Sequence, residues 1–273
     1  MAFKEIDLVI EFVNNIDRLQ KNGVVILILS TSHSSYASFK DSIRETWLKN
    51  FESCGITCLF YEGGAEATHL SGDTIKLPCD DGLHFCAEKL RLALEFILKL
   101  KPNFKAVYRT NLSSYIDVDQ FNLFVQKMGL SESTYVGIRG RAKILPEYFY
   151  RNRNIKYVLD KLHIGPSVSF ASGAGMFIGR RNCLRIVEKR KYDRFVDDVM
   201  VGMCLREYSK VTHEPDRFDF TLGFDPRCDQ VEFSRRVKAG LFHYRFKSND
   251  RDNDAALIKS FGDRKFRLDY CTH

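Results

Sequence analysis

Apolar residues in the first half of the chain form short continuous runs, at residues 23–30, 56–61 and 106–109. Each run is too short to cross a membrane, and such runs are typical of strands buried on both faces of a parallel sheet. The intervening stretches, residues 38–49 and 83–100, favour helices. Strands that alternate with helices predict an α/β domain, in which ligands bind at the carboxyl ends of the strands.

The second half of the chain has a different pattern. Residues 135–137 predict a short strand, and residues 165–175 are rich in small side chains before a further apolar run. A helix is predicted over residues 180–191, and another opens at Asp197. Residues 1–22 predict an N-terminal amphipathic helix. Because no linker, repeat or low-complexity segment interrupts the sequence, a single domain over residues 1–273 is expected.

The composition is that of an ordinary globular protein, with 44% hydrophobic and 28% charged residues. A net charge of +7 favours an anionic partner, although the basic residues are scattered along the chain. The 8 cysteines include no Cys-x-x-Cys pair, and Cys58, Cys183 and Cys204 lie among apolar residues, which favours reduced, buried thiols. No signal peptide or membrane anchor is visible, so we expect a cytoplasmic protein without a membrane span.

Two adjacent acids, Asp197 and Asp198, precede an apolar helical run. One interpretation is a helix N-cap with a second acid that interacts favourably with the helix dipole. The other is a general base, in which one carboxylate at the helix start faces a cleft and accepts a proton from a substrate. Taken alone, the pair favours the helix cap.

Polar residues follow two of the predicted strands. Ser30 and Thr31 end the first run, and residues 109–114 (RTNLSS) end the third, so both groups lie on one rim of the predicted sheet. They suit either a ligand-binding edge or ordinary turns. Residues 172–175 (SGAG) suit a turn or a close approach of the backbone to a ligand, but they lack the spacing of a dinucleotide-binding or phosphate-binding loop.

Two further groups could bind an ion. His243 lies among aromatic residues with Arg245 two positions later, which suits either a core imidazole or a contact to a diphosphate or metal. Asp117 and Asp119 form an Asp-x-Asp pair beyond the third strand. For that pair, acids at the start of a solvated helix are favoured over a metal site.

In their order along the chain, these segments resemble the β-1,3-glycosyltransferase superfamily, which includes the β-1,3-galactosyltransferases and Fringe-type enzymes. The resemblance extends over roughly residues 24–202, and six short motifs in a fixed order are hard to obtain by chance. The matching elements are an apolar strand ending at Ser30, the Arg-x-Thr-Trp element at 44–47, a helix with Lys89 before the strand at 106–109, Tyr-x-Gly at 135–137, Ser-Gly-x-Gly at 172–175 and an acidic segment at 197–202.

The resemblance implies a GT-A fold, with a Rossmann-like central mixed sheet flanked by helices. It also implies transfer of a sugar from a nucleotide-sugar donor, expected to be a UDP-sugar, to a glycan hydroxyl, with inversion at the anomeric carbon. Residues 23–130 would then bind the nucleotide sugar, and residues 131–273 would bind the acceptor and carry out catalysis. By position Asp198 matches the catalytic base, and Asp197 would orient it or cap the helix.

The resemblance, together with the polar groups described above, gives two sets of candidate binding residues. The donor-binding set is Ser30, Thr31, Arg44, Lys89, Arg109, Thr110, Asn111, Ser113, His243 and Arg245. The acceptor-binding set is Trp47, Gly173, Ala174, Gly175 and Asp197.

The chain departs from the family at the acidic triplet that binds a divalent metal. Asn111, Leu112 and Ser113 stand in its place, and amide and hydroxyl groups bind hard cations less well than carboxylates do. Whether a metal is required is therefore open. The candidate metal ligands are His243, Asp117 and Asp119, and the side chains that could stabilise the diphosphate in place of a metal are Arg44, Arg109, His243 and Arg245.

Two other functions compete with sugar transfer. A degenerate transferase fold could bind a nucleotide or glycan without turnover, which the altered triplet motivates. A basic nucleic-acid-binding protein is the weakest alternative, because no recognised motif accompanies the positive charge. The expected partners are therefore a nucleotide sugar and a glycan acceptor, with no nucleic acid.

Overall fold

A computed structural model of the protein describes residues 23–101, 103–143, 167–193, 195–222, 230–248 and 250–262. The predicted N-terminal helix at residues 1–22 lies outside the described residues. The described strands are β1 (Val24–Leu29), β2 (Thr57–Glu62), β3 (His69–Ser71), β4 (Thr74–Lys76), β5 (Ala106–Asn111), β6 (Ser114–Ile116), β7 (Tyr135–Lys143), β8 (Ser167–Gly179), β9 (Thr212–His213), β10 (Phe220–Leu222) and β11 (His243–Phe246).

The helices within these ranges are α1 (Ala37–Ile43), α2 (Lys49–Ser53), α3 (Cys86–Leu100), α4 (Val118–Met128), α5 (Arg180–Glu188), α6 (Asp197–Leu205), α7 (Gln230–Lys238) and α8 (Arg251–Phe261). A π-helical segment, Arg44–Leu48, joins α1 to α2. The helical stretch after β1 therefore runs to Ser53, further than the predicted end at residue 49.

Eight strands form one mixed sheet in the order β3-β4-β2-β1-β5-β8-β7-β9. Strands β4, β2, β1 and β5 are parallel, whereas β8 runs antiparallel to both β5 and β7. The prediction of an α/β fold with a central mixed sheet flanked by helices is confirmed. Strands from both halves of the sequence share this sheet, and a smaller sheet of β10, β11 and β6 lies at the end of β5.

Strand β1 shows why its apolar run is continuous. Successive side chains of a strand point to opposite faces, so both faces of β1 need a covering layer. Ile26 and Ile28 pack on one side with aromatic residues of α1, the π-helical segment and α4. Val25 and Leu27 pack on the other side with α3, α5 and α6. The sheet is therefore the middle of three layers, with a core on each face.

Strand β8 contains a wide bulge, which we call the β8 bulge (residues 172–175). Gly137 of β7 pairs with Met176, and Arg139 pairs with Ala171, so four residues of β8 lie opposite the single residue Ile138. Of the two interpretations of this small-residue segment, a turn or a close approach of the backbone to a ligand, the turn is not found, because the segment lies inside a long strand. Bulges of this kind free backbone groups from the ladder and are common beside active sites.

Two smaller predictions concern thiols and membranes. Cys58, Cys183 and Cys204 are free and buried, as predicted. Across the described ranges, no helix combines the length and the apolar character needed to cross a bilayer.

Candidate active site

Helix α6 begins with the two acids. Its N-cap is Val196, whose side chain makes no capping hydrogen bond, and Asp197 and Asp198 form the first turn. The expectation that Asp197 caps the helix is therefore wrong. The Oδ1 atom of Asp198 accepts a hydrogen bond from the backbone N–H of Val199 at 2.7 Å. Both acids also interact favourably with the positive end of the helix dipole.

Asp197 points into the protein. Its side chain is buried and forms an ion pair with the guanidinium group of Arg109, which is itself only 2% exposed in the middle of β5. Arg109 also donates a hydrogen bond from Nε to the hydroxyl of Tyr61 at 3.3 Å. Burial raises the pKa of Asp197 while Arg109 opposes that shift. Asp197 is thus occupied by a buried partner.

Asp198 points to the β8 bulge and stays partly exposed. The backbone N–H of Gly173 donates to its Oδ2 atom at 3.1 Å. A Cβ at Gly173 would lie 3.1 Å from Nη1 of Arg109, 3.3 Å from Oδ2 of Asp198 and 3.4 Å from Oδ1 of Asp197. Glycine is therefore the residue that lets the strand approach all three side chains. Of the two acids, only Asp198 presents a carboxylate that a substrate could reach.

The residues of the β5–β6 turn form hydrogen bonds with one another. The Oδ1 atom of Asn111 accepts from Ser113 N at 3.2 Å, from Ser113 Oγ at 2.8 Å and from Ser114 Oγ at 3.1 Å. Beneath the turn, Nε1 of the fully buried Trp47 donates to the carbonyl of Ser114 at 3.0 Å. Trp47, predicted to contact the acceptor, therefore supports the turn from below.

These turn residues do not fit the divalent metal that the resemblance implies. A hard cation needs several free oxygen ligands, preferably carboxylates, but three donors already saturate the amide oxygen of Asn111. Nor do the described ranges contain a group of three or more His, Cys, Asp or Glu that could hold a metal ion. Asp117 caps α4 by accepting from Gln120 N at 3.1 Å, and Asp119 lies in the first turn of that helix, as predicted.

His243 lies under the turn with no exposed surface. Its Nε2 atom is 2.9 Å from Ser114 Oγ, and its Nδ1 atom faces Gly175, where a Cβ would lie 2.6 Å away. The same Cβ would collide with the hydroxyl of Tyr108. Burial, with Arg245 and two other arginines nearby, lowers the pKa of His243 to about 3, so its imidazole is neutral. The structure does not bring His243 to the rim as a diphosphate contact.

Arg245 is the predicted donor-binding cation that lies beside the β5–β6 turn. Its side chain is 27% exposed, and Nε donates to Ser113 Oγ at 3.4 Å. Nη1 of Arg245 also lies 3.9 Å from the carboxylate oxygen Oδ1 of Asp219. Burial raises the pKa of Asp219, although Arg245 opposes that shift. The guanidinium group is thus a partly exposed positive charge at the end of β5.

The rim at the end of β1 is organised by Asp81, which sequence reasoning missed. Thr31 Oγ1 donates to Asp81 at 2.8 Å, and Lys89 Nζ donates to Asp81 Oδ1 at 3.0 Å and to the carbonyl of Ser30 at 3.2 Å. Despite partial burial, these donors and neighbouring backbone N–H groups hold the pKa of Asp81 well below its usual value. The turn sequence of Asp80, Asp81 and Gly82 was the available signal.

The remaining candidates lie in two places. Thr110 Oγ1 donates to the carbonyl of Ala174 at 3.0 Å, which ties β5 to the β8 bulge. Arg44 instead forms two hydrogen bonds with Asp73, at 2.7 and 2.9 Å, at the start of β4. The structure therefore separates Arg44 from the end of β5 and brings Arg109, Thr110 and the bulge together with the acids.

Comparison with known proteins gives several relatives of one kind. UDP-GalNAc:beta-1,3-N-acetylgalactosaminyltransferase 1 from Homo sapiens is 25% identical over 234 residues, which cover 80% of this chain and 70% of the relative. The Sus scrofa protein of the same name is 23% identical over the same shares of both chains, and that of Mus musculus is 22% identical over 238 residues. No protein-family model matches the chain.

Among solved structures, the chain is similar to a glycosyltransferase involved in the glycosylation of the major capsid of PBCV-1. The TM-score is 0.50 at 9% identity, over 86% of this chain and 98% of the other, so this likeness concerns the fold. The motifs, the sequence relatives and the α/β fold agree. They indicate a glycosyltransferase that is similar to the β-1,3-glycosyltransferase superfamily.

Proposed function

We propose that the protein transfers a sugar from a UDP-sugar to a hydroxyl group of a glycan, with inversion and with Asp198 as general base. The observation that carries this proposal is the different environment of the two acids: Asp197 is buried against Arg109, whereas Asp198 is partly exposed and fixed by Gly173. The names of the sequence relatives support a UDP-sugar as donor and make UDP-GalNAc the first donor to test.

In this mechanism Asp198 takes the proton of the acceptor hydroxyl while that oxygen attacks C1 of the donor sugar. The bond between C1 and the diphosphate oxygen breaks as the new bond forms on the opposite face, which inverts the anomeric centre. The N–H groups of Gly173 and Val199 hold both carboxylate oxygens, so the base is oriented before the substrate arrives.

The leaving diphosphate carries the negative charge that develops in the reaction. We propose that Arg245 stabilises it, because this partly exposed guanidinium lies at the turn where the family binds its metal and can donate two parallel hydrogen bonds. Ser113, already within hydrogen-bonding distance of Arg245, orients that side chain. A transferase built this way does not need a divalent ion.

The binding-only alternative also rests on the altered triplet and needs a direct comparison. A panel of nucleotide sugars, with UDP-GalNAc included, is incubated with the protein and glycan acceptors, and the released nucleoside diphosphate is measured. Thermal shift with the same donors measures binding separately. The proposal predicts both release and binding for one donor. Binding without release across the panel would favour the degenerate fold.

We further propose that residues 1–273 act as a single domain in the cytoplasm. The two halves of the described sequence share one eight-stranded sheet, which supports a single folding unit. The free thiols found among the described cysteines are typical of a reducing compartment.

A further inference from the structure

A buried ion pair lies directly behind the proposed base. Arg109 is 2% exposed and Asp197 is 6% exposed, and they are joined by an ion pair between β5 and the first turn of α6. Tyr61 on β2, with no exposed surface, accepts the Nε hydrogen bond of Arg109. One side chain thus connects two sheet strands to the helix that carries Asp198.

Such a pair is a costly way to stabilise a fold. Moving two charges out of water is unfavourable, and apolar residues of the same size often stabilise a protein equally well. The removal of one partner is different, because it leaves an uncompensated charge in the interior. Here that charge would act on Asp198, since Nη1 of Arg109 and the carboxylates of both acids lie within 3.4 Å of one point beside Gly173.

We propose that Arg109 is a positioning residue for the base: its ion pair with Asp197 fixes the start of α6 against the β8 bulge and presents Asp198 with a neutral neighbour. This inference rests on the proposed role of Asp198. It differs from the expected role of Arg109 as a donor-binding residue, because the guanidinium group is buried and paired with Asp197.

The other titratable groups that the structure describes around the acids do not supply a competing charge. Tyr61 on β2 and Tyr135 on β7 face them, and burial raises the pKa of both phenols. Burial also raises the pKa of the Cys86 thiol on α3 and, to about 12, that of the Cys204 thiol on α6. Lys89 is already paired with Asp81. Among the described residues, Arg109 and Asp197 are therefore the charges that we expect to act on Asp198.

The test is a titration of the Asp198 carboxyl carbon by NMR in protein labelled with ¹³C-aspartate, with the signal assigned through Asp198→Asn. In Arg109→Met, the uncompensated carboxylate of Asp197 moves the midpoint of the Asp198 titration to higher pH, by about one unit or more. In Asp197→Asn, the uncompensated guanidinium moves the midpoint to lower pH. The double variant returns it close to the parent value.

Two further variants separate charge from packing. Arg109→Lys keeps the charge but cannot contact both Asp197 and Tyr61, so the midpoint stays in place while turnover falls. Arg91→Met breaks the ion pair of another buried arginine, whose Nε lies 2.7 Å from the partly exposed Asp193, and leaves the Asp198 midpoint unchanged. A thermal unfolding curve for each variant shows that the folded protein is being titrated.

Each outcome decides a separate question. Shifts of the same sign in Arg109→Met and Asp197→Asn, or equal shifts in Arg91→Met, would overturn the inference whatever the activity of the protein. Opposite shifts in a protein that releases no diphosphate from any donor would support the inference on the ion pair and contradict the proposed transferase function. The titration therefore reports on Arg109 independently of turnover.

Discussion

At the scale of single residues, two neighbouring aspartates have different environments because of helix geometry. Successive residues of an α-helix are rotated by about 100°. Asp197 therefore turns toward β5 and Arg109, while Asp198 turns toward the β8 bulge and Gly173. The sequence alone favoured a helix cap for this pair, since nothing local shows that a guanidinium group from residue 109 reaches the start of α6.

The two glycines of the β8 bulge provide a prediction at this scale. Gly173→Ala crowds Arg109 and both acids at 3.1–3.4 Å, so the protein folds but turnover falls as Asp198 is displaced. Gly175→Ala forces a methyl group against Nδ1 of His243, at 2.6 Å, and lowers the free energy of unfolding by about 1–3 kcal/mol.

Thermal unfolding and donor turnover, measured on both variants, distinguish the two positions. A Gly173→Ala protein with the parent turnover would show that the bulge does not position the base.

At the scale of elements, the sequence predicted those strands and helices whose signal is local. The apolar runs of β1, β2 and β5 and the helical pattern of α3 were recognised, with ends that differ by at most three residues. For residues 172–175 the sequence left open a turn and a close approach of the backbone to a ligand, and it did not predict the β8 bulge. Small residues suit a turn and a bulge equally, and only the pairing of β8 with β7 and β5, over long sequence distances, decides between them.

The β5–β6 turn gives the prediction for an element. Asn111→Ala removes an acceptor of three hydrogen bonds and lowers the free energy of unfolding by about 1–3 kcal/mol, because it leaves the hydroxyl groups of Ser113 and Ser114 without that partner. Asn111→Asp, the matched control, keeps an acceptor oxygen in place and stays closer to the parent. Urea unfolding measures both variants. If the Asn111→Ala protein were as stable as the parent, the three hydrogen bonds to Asn111 would not stabilise the turn.

At the scale of the whole molecule, the candidate site is assembled from distant parts of the chain. Arg245 follows the β5–β6 turn by more than a hundred residues, and β11 brings it beside Ser113. The sequence analysis assigned these segments to one donor site, but it could not show which side chains reach the rim. Trp47 and His243 were both predicted to contact a substrate, yet both are buried: Trp47 supports the β5–β6 turn, and His243 packs under it.

Whether turnover depends on a divalent metal ion is tested on the intact enzyme. Once a donor is known, turnover persists after treatment with EDTA, and added Mn²⁺ or Mg²⁺ changes it little. Arg245→Met lowers turnover by about tenfold or more, because the diphosphate loses a charged donor. Arg181→Met is the control, since Arg181 is exposed, pairs with Glu132 and lies on α5, directly after the opposite end of β8. Strict dependence on a divalent ion would contradict the metal-independent mechanism.

The role of Asp198 is the central claim, and turnover of the Asp198→Asn protein with its best nucleotide-sugar donor tests it most directly. Asparagine keeps the size of the side chain and an oxygen for the N–H of Gly173, but it cannot accept the proton. We predict that release of nucleoside diphosphate in the presence of an acceptor falls by a factor of about 10² or more, with unchanged donor affinity. Near-normal turnover in this variant would contradict the assignment of Asp198 as the base.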